Sequence, residues 1–210
     1  ISVEFLRHSL QALQVQHPQL PMLGVGMDFS TSLRLPAQAG GGTRLMFYPG
    51  SSIGNFTPEA AERFLRRVRA AAPQGALLIG VDLLKPPELL QRAYDDALGV
   101  TAAFNRNLLV RLNREFGANF DVAAFAHEAR WNAEARRIEM HLKATRPSQV
   151  SIPGLELSVR FAANETVWTE SSHRFNVDEL QAWGREARFS TAATWVDRVW
   201  PLALTLFVAQ

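Results

Sequence analysis

Two short apolar runs with little polar alternation, Leu45 to Tyr48 and Ala76 to Val81, bracket an amphipathic stretch from Pro58 to Ala72, and this order constrains the fold more than any other feature. Strands buried on both faces and separated by a helix imply a doubly wound parallel sheet, because parallel strands need a long crossover that covers the sheet. Thr57 offers an N-cap with Pro58 at the first helical position, where its missing N–H costs nothing. The loop Phe47-Tyr48-Pro49-Gly50-Ser51-Ser52-Ile53-Gly54-Asn55-Phe56 therefore leaves the carboxyl end of a strand. Ligands dock at that edge in open α/β sheets, where backbone N–H groups and helix N-termini converge.

Ahead of this unit, Val3 to Val15 spaces Phe5, Leu6, Leu10 and Leu13 as a helix that His17-Pro18 ends. Leu23 to Met27 alternates as a short strand stopping at Asp28-Phe29, and Gly40-Gly41-Gly42 makes a turn. Beyond Asp82 the pattern changes at Lys85-Pro86-Pro87: two helices, Glu88 to Leu98 and Ala102 to Phe116, precede a short helix near Val122 to Glu128. Strand-like stretches follow at Arg137 to Ala144, Gln149 to Phe161 around a Pro153-Gly154 turn, and Thr166 to Ser171, which makes this segment an α+β insertion. A helix from Asn176 to Arg188 and two strands, Thr191 to Val196 and Leu202 to Val208, return to the first sheet as an antiparallel hairpin. The domain limits follow: residues 1–84 with 173–210, and an inserted 85–172.

A chain of 210 residues with 47% hydrophobic content, five Trp and 13 Phe carries enough apolar surface for a sizeable core. No apolar run reaches the roughly 18 residues that span a membrane. With no cysteine, disulfides, Cys-zinc sites and thiol catalysis are excluded, and a cytoplasmic setting is expected. The Ile1-Ser2-Val3 start runs straight into a helix, without the layout of a signal peptide. A net charge of +2 is a weak field for nucleic acid, and Arg63, Arg66, Arg67 and Arg69 read as the solvated face of one helix. His8, His17, His127, His141 and His173 lack ligand spacing, so no metal site is expected.

Three segments concentrate polar and aromatic groups: the loop ending at Asn55, the run Tyr94-Asp95-Asp96-Ala97-Leu98-Gly99-Val100-Thr101-Ala102-Ala103-Phe104-Asn105-Arg106-Asn107, and Thr169-Glu170-Ser171-Ser172. Taken singly, each has a bland explanation as a turn residue, a solvated helix or an exposed strand face. Together with Arg130-Trp131-Asn132-Ala133-Glu134 and Arg137-Ile138-Glu139-Met140, they make the chain resemble the S-adenosylmethionine-dependent histidine Nα-methyltransferases of ergothioneine biosynthesis. The resemblance runs in order along the whole chain and is most specific at Gly50 to Asn55 and Tyr94 to Asn107.

The resemblance implies a class I, Rossmann-like α/β methyltransferase sheet with an inserted α+β substrate-binding domain. It implies an enzyme that moves three methyl groups from S-adenosyl-L-methionine to the α-amine of L-histidine, giving hercynine. By the same resemblance Asn55 and Tyr94 hold the amino acid's backbone end, Glu170 and Ser172 bind the imidazole, and Met140 packs near the ring. Asp28 and Phe29 border the adenine, and Gly50 lines the reacting centre through its backbone, facing the methyl donor while Asn55 faces the amino acid. Methyl transfer to an amine is an in-line displacement, so positioning and an uncharged amine are the main requirements, and no general base is assigned. An acidic acceptor beside a hydroxyl donor suits imidazole and rejects Phe or Leu, whose rings or chains would leave buried polar groups unpaired.

The family's glycine-rich turn and ribose-binding acid fall upstream of Ile1, so the sheet is expected to lack its first strands here. The chain is expected to be a fragment that binds S-adenosylmethionine poorly by itself, with strand edges that another copy can pair. Two alternatives stand beside histidine methylation: a methyltransferase for another amino acid or amine, and a degenerate amino-acid-binding domain without catalysis.

Overall fold

In the computed structural model, which describes residues 3–210, α1 (Val3–Gln16) is followed by β1 (Leu45–Tyr48), α2 (Pro58–Ala71) and β2 (Ala76–Asp82). Thr57 caps α2 with its hydroxyl, which accepts from the Ala60 N–H at 3.3 Å. β1 and β2 pair in parallel, Leu45 with Ala76 through Tyr48 with Ile79. The chain divides into two compact units: one of residues 1–52, 57–81 and 177–210, the other of residues 53–56 and 82–176.

The first unit adds α5 (Val177–Glu186), β8 (Phe189–Asp197) and β9 (Leu202–Ala209), with sheet order β1-β2-β9-β8 and an antiparallel β8–β9 pair, as the sequence predicts for its closing hairpin. Leu77, Ile79 and Val81 of β2 are fully buried, as are Leu65 of α2, Leu180 of α5, and Phe189 and Phe207 of the hairpin. Burying a side chain of this size is worth about 1.5–3 kcal/mol, so these residues dominate the unit's stability.

Three expectations fail here. Leu23 to Met27 forms no strand; Gly24 lies against Leu10 and Leu6 of α1, so the segment packs on a helix instead of pairing in a sheet. β1 is not buried on both faces, because Leu45 and Phe47 are 60% and 65% exposed and no layer covers that face among the described residues. The third fails only in part: Arg63 and Arg66 of α2 are exposed as expected, whereas Arg67 donates to the Ser30 carbonyl, and Arg69 donates through Nε to Arg188 O at 3.0 Å and through Nη1 to Pro73 O at 2.9 Å. The Ile1-Ser2 start lies outside the described residues.

The second unit holds α3 (Pro87–Tyr94), α4 (Val100–Phe116), β3 (Phe125–Asn132), β4 (Arg137–Ala144), β5 (Ser148–Ile152), β6 (Leu157–Phe161) and β7 (Thr166–His173). An antiparallel sheet runs β3-β4-β7, and β5 with β6 forms a separate hairpin. The helix expected near Val122 to Glu128 shrinks to one 3-10 turn, Val122–Ala124, capped by Asp121, and the chain then enters β3. Eight ladder pairs with β4, from Phe125–Ala144 to Asn132–Arg137, override the local helical preference of this alanine-rich stretch. Phe120, Phe125 and Phe161 meet edge-on or tilted at 5.3–6.3 Å in a core that includes Leu109, Leu142 and Val150.

No helix of the described residues is long and apolar enough to cross a membrane.

Candidate functional site

β7 carries the densest set of candidate groups, and its register explains how they are aimed. Met140 of β4 pairs with Glu170, but the next pair is His141 with Trp168, so Thr169 is an extra residue in β7. Such a bulge re-aims the side chains beside it and is common next to binding sites. The Thr169 hydroxyl secures it by donating to Met140 O at 2.9 Å. Beyond the bulge, Glu170 and Ser172 stand two residues apart, as two neighbours on one strand face do.

Each of the two is held by a residue from another segment. Asn55 Nδ2 donates to Glu170 Oε1 at 3.1 Å, and the Tyr94 hydroxyl donates to Ser172 Oγ at 2.8 Å. Asn55 can take this position because Gly54 has no side chain: a Cβ there would sit 2.9 Å from His173 O and 3.4 Å from Ser172 Oγ. His173 Nδ1 adds a contact to Gly54 O at 2.9 Å. Burial pushes the Glu170 carboxyl above its ordinary range, and the Asn55 amide pulls in the opposite direction.

Asn55 and Glu170 line a cavity of about 320 Å³ together with Trp168, Thr169 and Ser171. A second cavity of about 200 Å³, bordered by Phe104, Asn105 and Leu108 of α4, also meets Thr169 and Glu170. Glu170 thus faces both. Ser172, 7% exposed, and Met140, which packs with Leu90, Ile138 and Tyr94, line neither of these two cavities. A larger cavity, about 610 Å³, belongs to the first unit around Arg34, Arg44 and Arg67 and contains none of the candidate residues, so volume does not select the site.

Several residues that position this site lie in or contact the Tyr94 to Asn107 run, but nothing in the sequence gives them a role of their own. Asp96 receives the N–H groups of Val100 and Thr101 at 3.0 and 2.8 Å, which pull its carboxyl down to about 2 and fix the turn from Tyr94 into α4. Asn105, 5% exposed, donates through Nδ2 to His127 Nδ1 and to His141 O, and His127 Nε2 in turn reaches Tyr94 O at 2.7 Å. With Nδ1 accepting from the amide, Nε2 carries the proton and donates to Tyr94 O. An Asn letter in a helical run gives no hint of partners as far along the chain as His127 and His141 are from Asn105.

The residues expected at the cofactor belong to the first unit. Asp28 is exposed, and its Oδ1 accepts from the Ser30 N–H at 2.9 Å and from the Ser30 hydroxyl, which lowers its pKa and keeps it an ionised acceptor. The Phe29 ring meets Tyr48 and Phe64 edge-on at 6.1 and 6.2 Å. Gly50 is exposed, and a Cβ on it would meet nothing nearer than Ser52 Oγ at 3.9 Å, so its backbone is open to a ligand. An ionised carboxylate and a half-buried aromatic ring are groups that suit the amine edge and flat face of a purine. Among the described residues, no group of three or more His, Asp or Glu side chains is placed to hold a metal ion.

Residues 1–209 match a family model described as histidine-specific methyltransferase, SAM-dependent. A histidine N-alpha-methyltransferase of Mycolicibacterium smegmatis is 40% identical over 97% of this chain and 63% of its own length. One from Mycobacterium tuberculosis is 38% identical over 98% of this chain and 64% of its own length. The chain therefore spans slightly less than two thirds of these relatives. A crystal structure of an S-adenosylmethionine-dependent methyltransferase from Clostridium acetobutylicum superposes with a TM-score of 0.52, covering 99% of this chain and 72% of that one at 11% identity, which establishes the Rossmann-like methyltransferase fold.

Proposed function

The chain belongs to the histidine-specific, S-adenosylmethionine-dependent methyltransferases, and we propose that it serves the transfer of three methyl groups in succession to the α-amine of L-histidine, giving hercynine. The observation that carries this reading is the pairing on β7: a carboxylate acceptor held by Asn55 and a hydroxyl held by Tyr94, two residues apart. Imidazole needs one acceptor for its N–H and one donor for its bare nitrogen, and Glu170 with Ser172 supplies both. A phenyl ring would leave both of these groups, and an indole ring one of them, without a ring partner, which is how a polar site rejects apolar analogues.

The same contacts set what remains for the amino acid's other end. Asn55 uses one amide N–H on Glu170, and its second N–H and its carbonyl remain for the carboxylate and amine. Tyr94 gives its hydrogen to Ser172, so towards the amine it acts as an acceptor. Both groups are neutral and do not favour the protonated amine as a nearby carboxylate would. S-adenosylmethionine supplies the electrophilic methyl carbon when bound. Asp28 and Phe29 would border its adenine and Gly50 its reacting end. Residues 85–172 form the substrate-binding insertion in this reading, and the absence of cysteine fits a cytoplasmic setting.

Mass spectrometry of L-histidine incubated with S-adenosylmethionine and the full-length protein tests the assignment, with Trp, Tyr and Phe as competitors. Sequential gain of up to three methyl masses on histidine alone is expected. Gain on a competitor, or none on histidine, refutes it.

A further inference from the structure

Arg174, immediately after β7, is 2% exposed and has the largest of the fully buried side chains, yet none of the chemistry above uses it. A buried cation is costly unless paired. Its Nε lies 3.1 Å from Asp82 Oδ2, but Lys85 also pairs with Asp82, so one carboxylate is shared by two cations. One arm of the guanidinium is turned on the candidate site, and Nη2 is left buried without a hydrogen-bond partner among the described residues. Nη1 donates to Ser172 Oγ at 2.7 Å and also contacts Ser172 O and His173 O, and the group lies over the Tyr94 ring at 5.2 Å.

A serine hydroxyl has two acceptor lone pairs and one hydrogen. At Ser172 the Arg174 Nη1–H and the Tyr94 O–H occupy the two lone pairs, and only the hydrogen is left for a ligand. One of the two donors is charged, which strengthens the bond and polarises the hydroxyl as a donor. We infer that Arg174 is a specificity-determining positioning residue that fixes Ser172 as an obligate donor, so that the site takes a ring with a bare nitrogen at that point and rejects one presenting C–H or N–H. The inference rests on the proposal that Glu170 and Ser172 hold the ring. It adds the reason a hydroxyl that is free to rotate elsewhere has one polarity here.

The test compares the full-length wild type with Arg174→Met and Arg174→Lys on L-histidine and on its pyrrole analogue, which keeps one ring N–H and replaces the other nitrogen by C–H. The wild type is expected to favour histidine in kcat/KM, and Arg174→Met to narrow that ratio by about tenfold, mostly through the KM for histidine, with Arg174→Lys retaining part of it. A purely structural arginine would lower both substrates in proportion, so an unchanged ratio overturns the inference. Failure of the wild type to methylate histidine would instead sink the functional assignment. Ring-labelled ¹⁵N histidine bound to wild type and to Arg174→Lys gives a second readout if Arg174→Met does not fold. One bare, hydrogen-bonded nitrogen is expected, with its signal moving towards the free-ring position in Arg174→Lys. A doubly protonated ring, or identical signals in the two proteins, overturns the inference.

Discussion

Replacing Glu170 by glutamine is expected to lower kcat/KM for histidine by roughly 100-fold, the cost of losing one hydrogen bond to a charged group in a confined site. The amide has a single oxygen to share between Asn55 Nδ2 and the ring N–H, and its own N–H groups face a donor where an acceptor is required. Stability should move the other way. Burial raises the Glu170 carboxyl above its ordinary value of 4.5, so the native state disfavours the ionised form. A group whose folded value is raised contributes stability that is present below the unfolded value and lost as pH rises through the folded one. At pH 7 glutamine removes that penalty, and the variant should melt at the wild-type temperature or above it, with the difference closing as pH falls towards 4.5. Thermal melts at several pH values beside steady-state kinetics check both halves. A variant that keeps full activity, or that loses activity and stability together at pH 7, would show that the carboxylate is structural.

Gly80→Ala is expected to destabilise the first unit by roughly 3 kcal/mol or more, at the upper end of overpacking costs, because nothing near the added methyl can yield. A Cβ at position 80 would fall 2.8 Å from Pro49 C, and closer still to the Pro49 carbonyl oxygen, both backbone atoms at the end of β1. The residue lies in the buried stretch of β2, so the strand cannot swing outward without exposing Ile79 and Val81. The loop that follows Pro49 carries Gly50, so the same substitution should weaken S-adenosylmethionine binding. Gly50→Ala is the contrast, since its methyl makes only an ordinary contact with Ser52 Oγ at 3.9 Å and should leave the stability within about 0.5 kcal/mol of wild type. Urea unfolding of the two variants separates them, and equal midpoints would contradict this packing.

The sequence carried the parts of this molecule that depend on local signals. The β1–α2–β2 order, the cap at Thr57 and the closing β8–β9 hairpin all follow from periodicity and capping chemistry. Where partners lie far apart in the chain, it misled. Leu23 to Met27 alternates like a strand, but two glycines let it lie against α1, and Val122 to Glu128 looks helical until β4 is there to pair with. The candidate residues were legible only through resemblance, since Asn55 and Glu170 are 115 positions apart and Tyr94 and Ser172 are 78 apart. The bulge at Thr169 has no letter to announce it, and nothing in the sequence sets the buried Arg174 apart from the other arginines.

The most direct test of the central claim is a crystal structure of the full-length protein with L-histidine bound. One ring nitrogen is expected within hydrogen-bond reach of the Glu170 carboxylate and the other within reach of the Ser172 hydroxyl, with the amine and carboxylate against Asn55 and Tyr94. A histidine whose ring lies away from β7, or whose amine end occupies the Glu170 position, would contradict it.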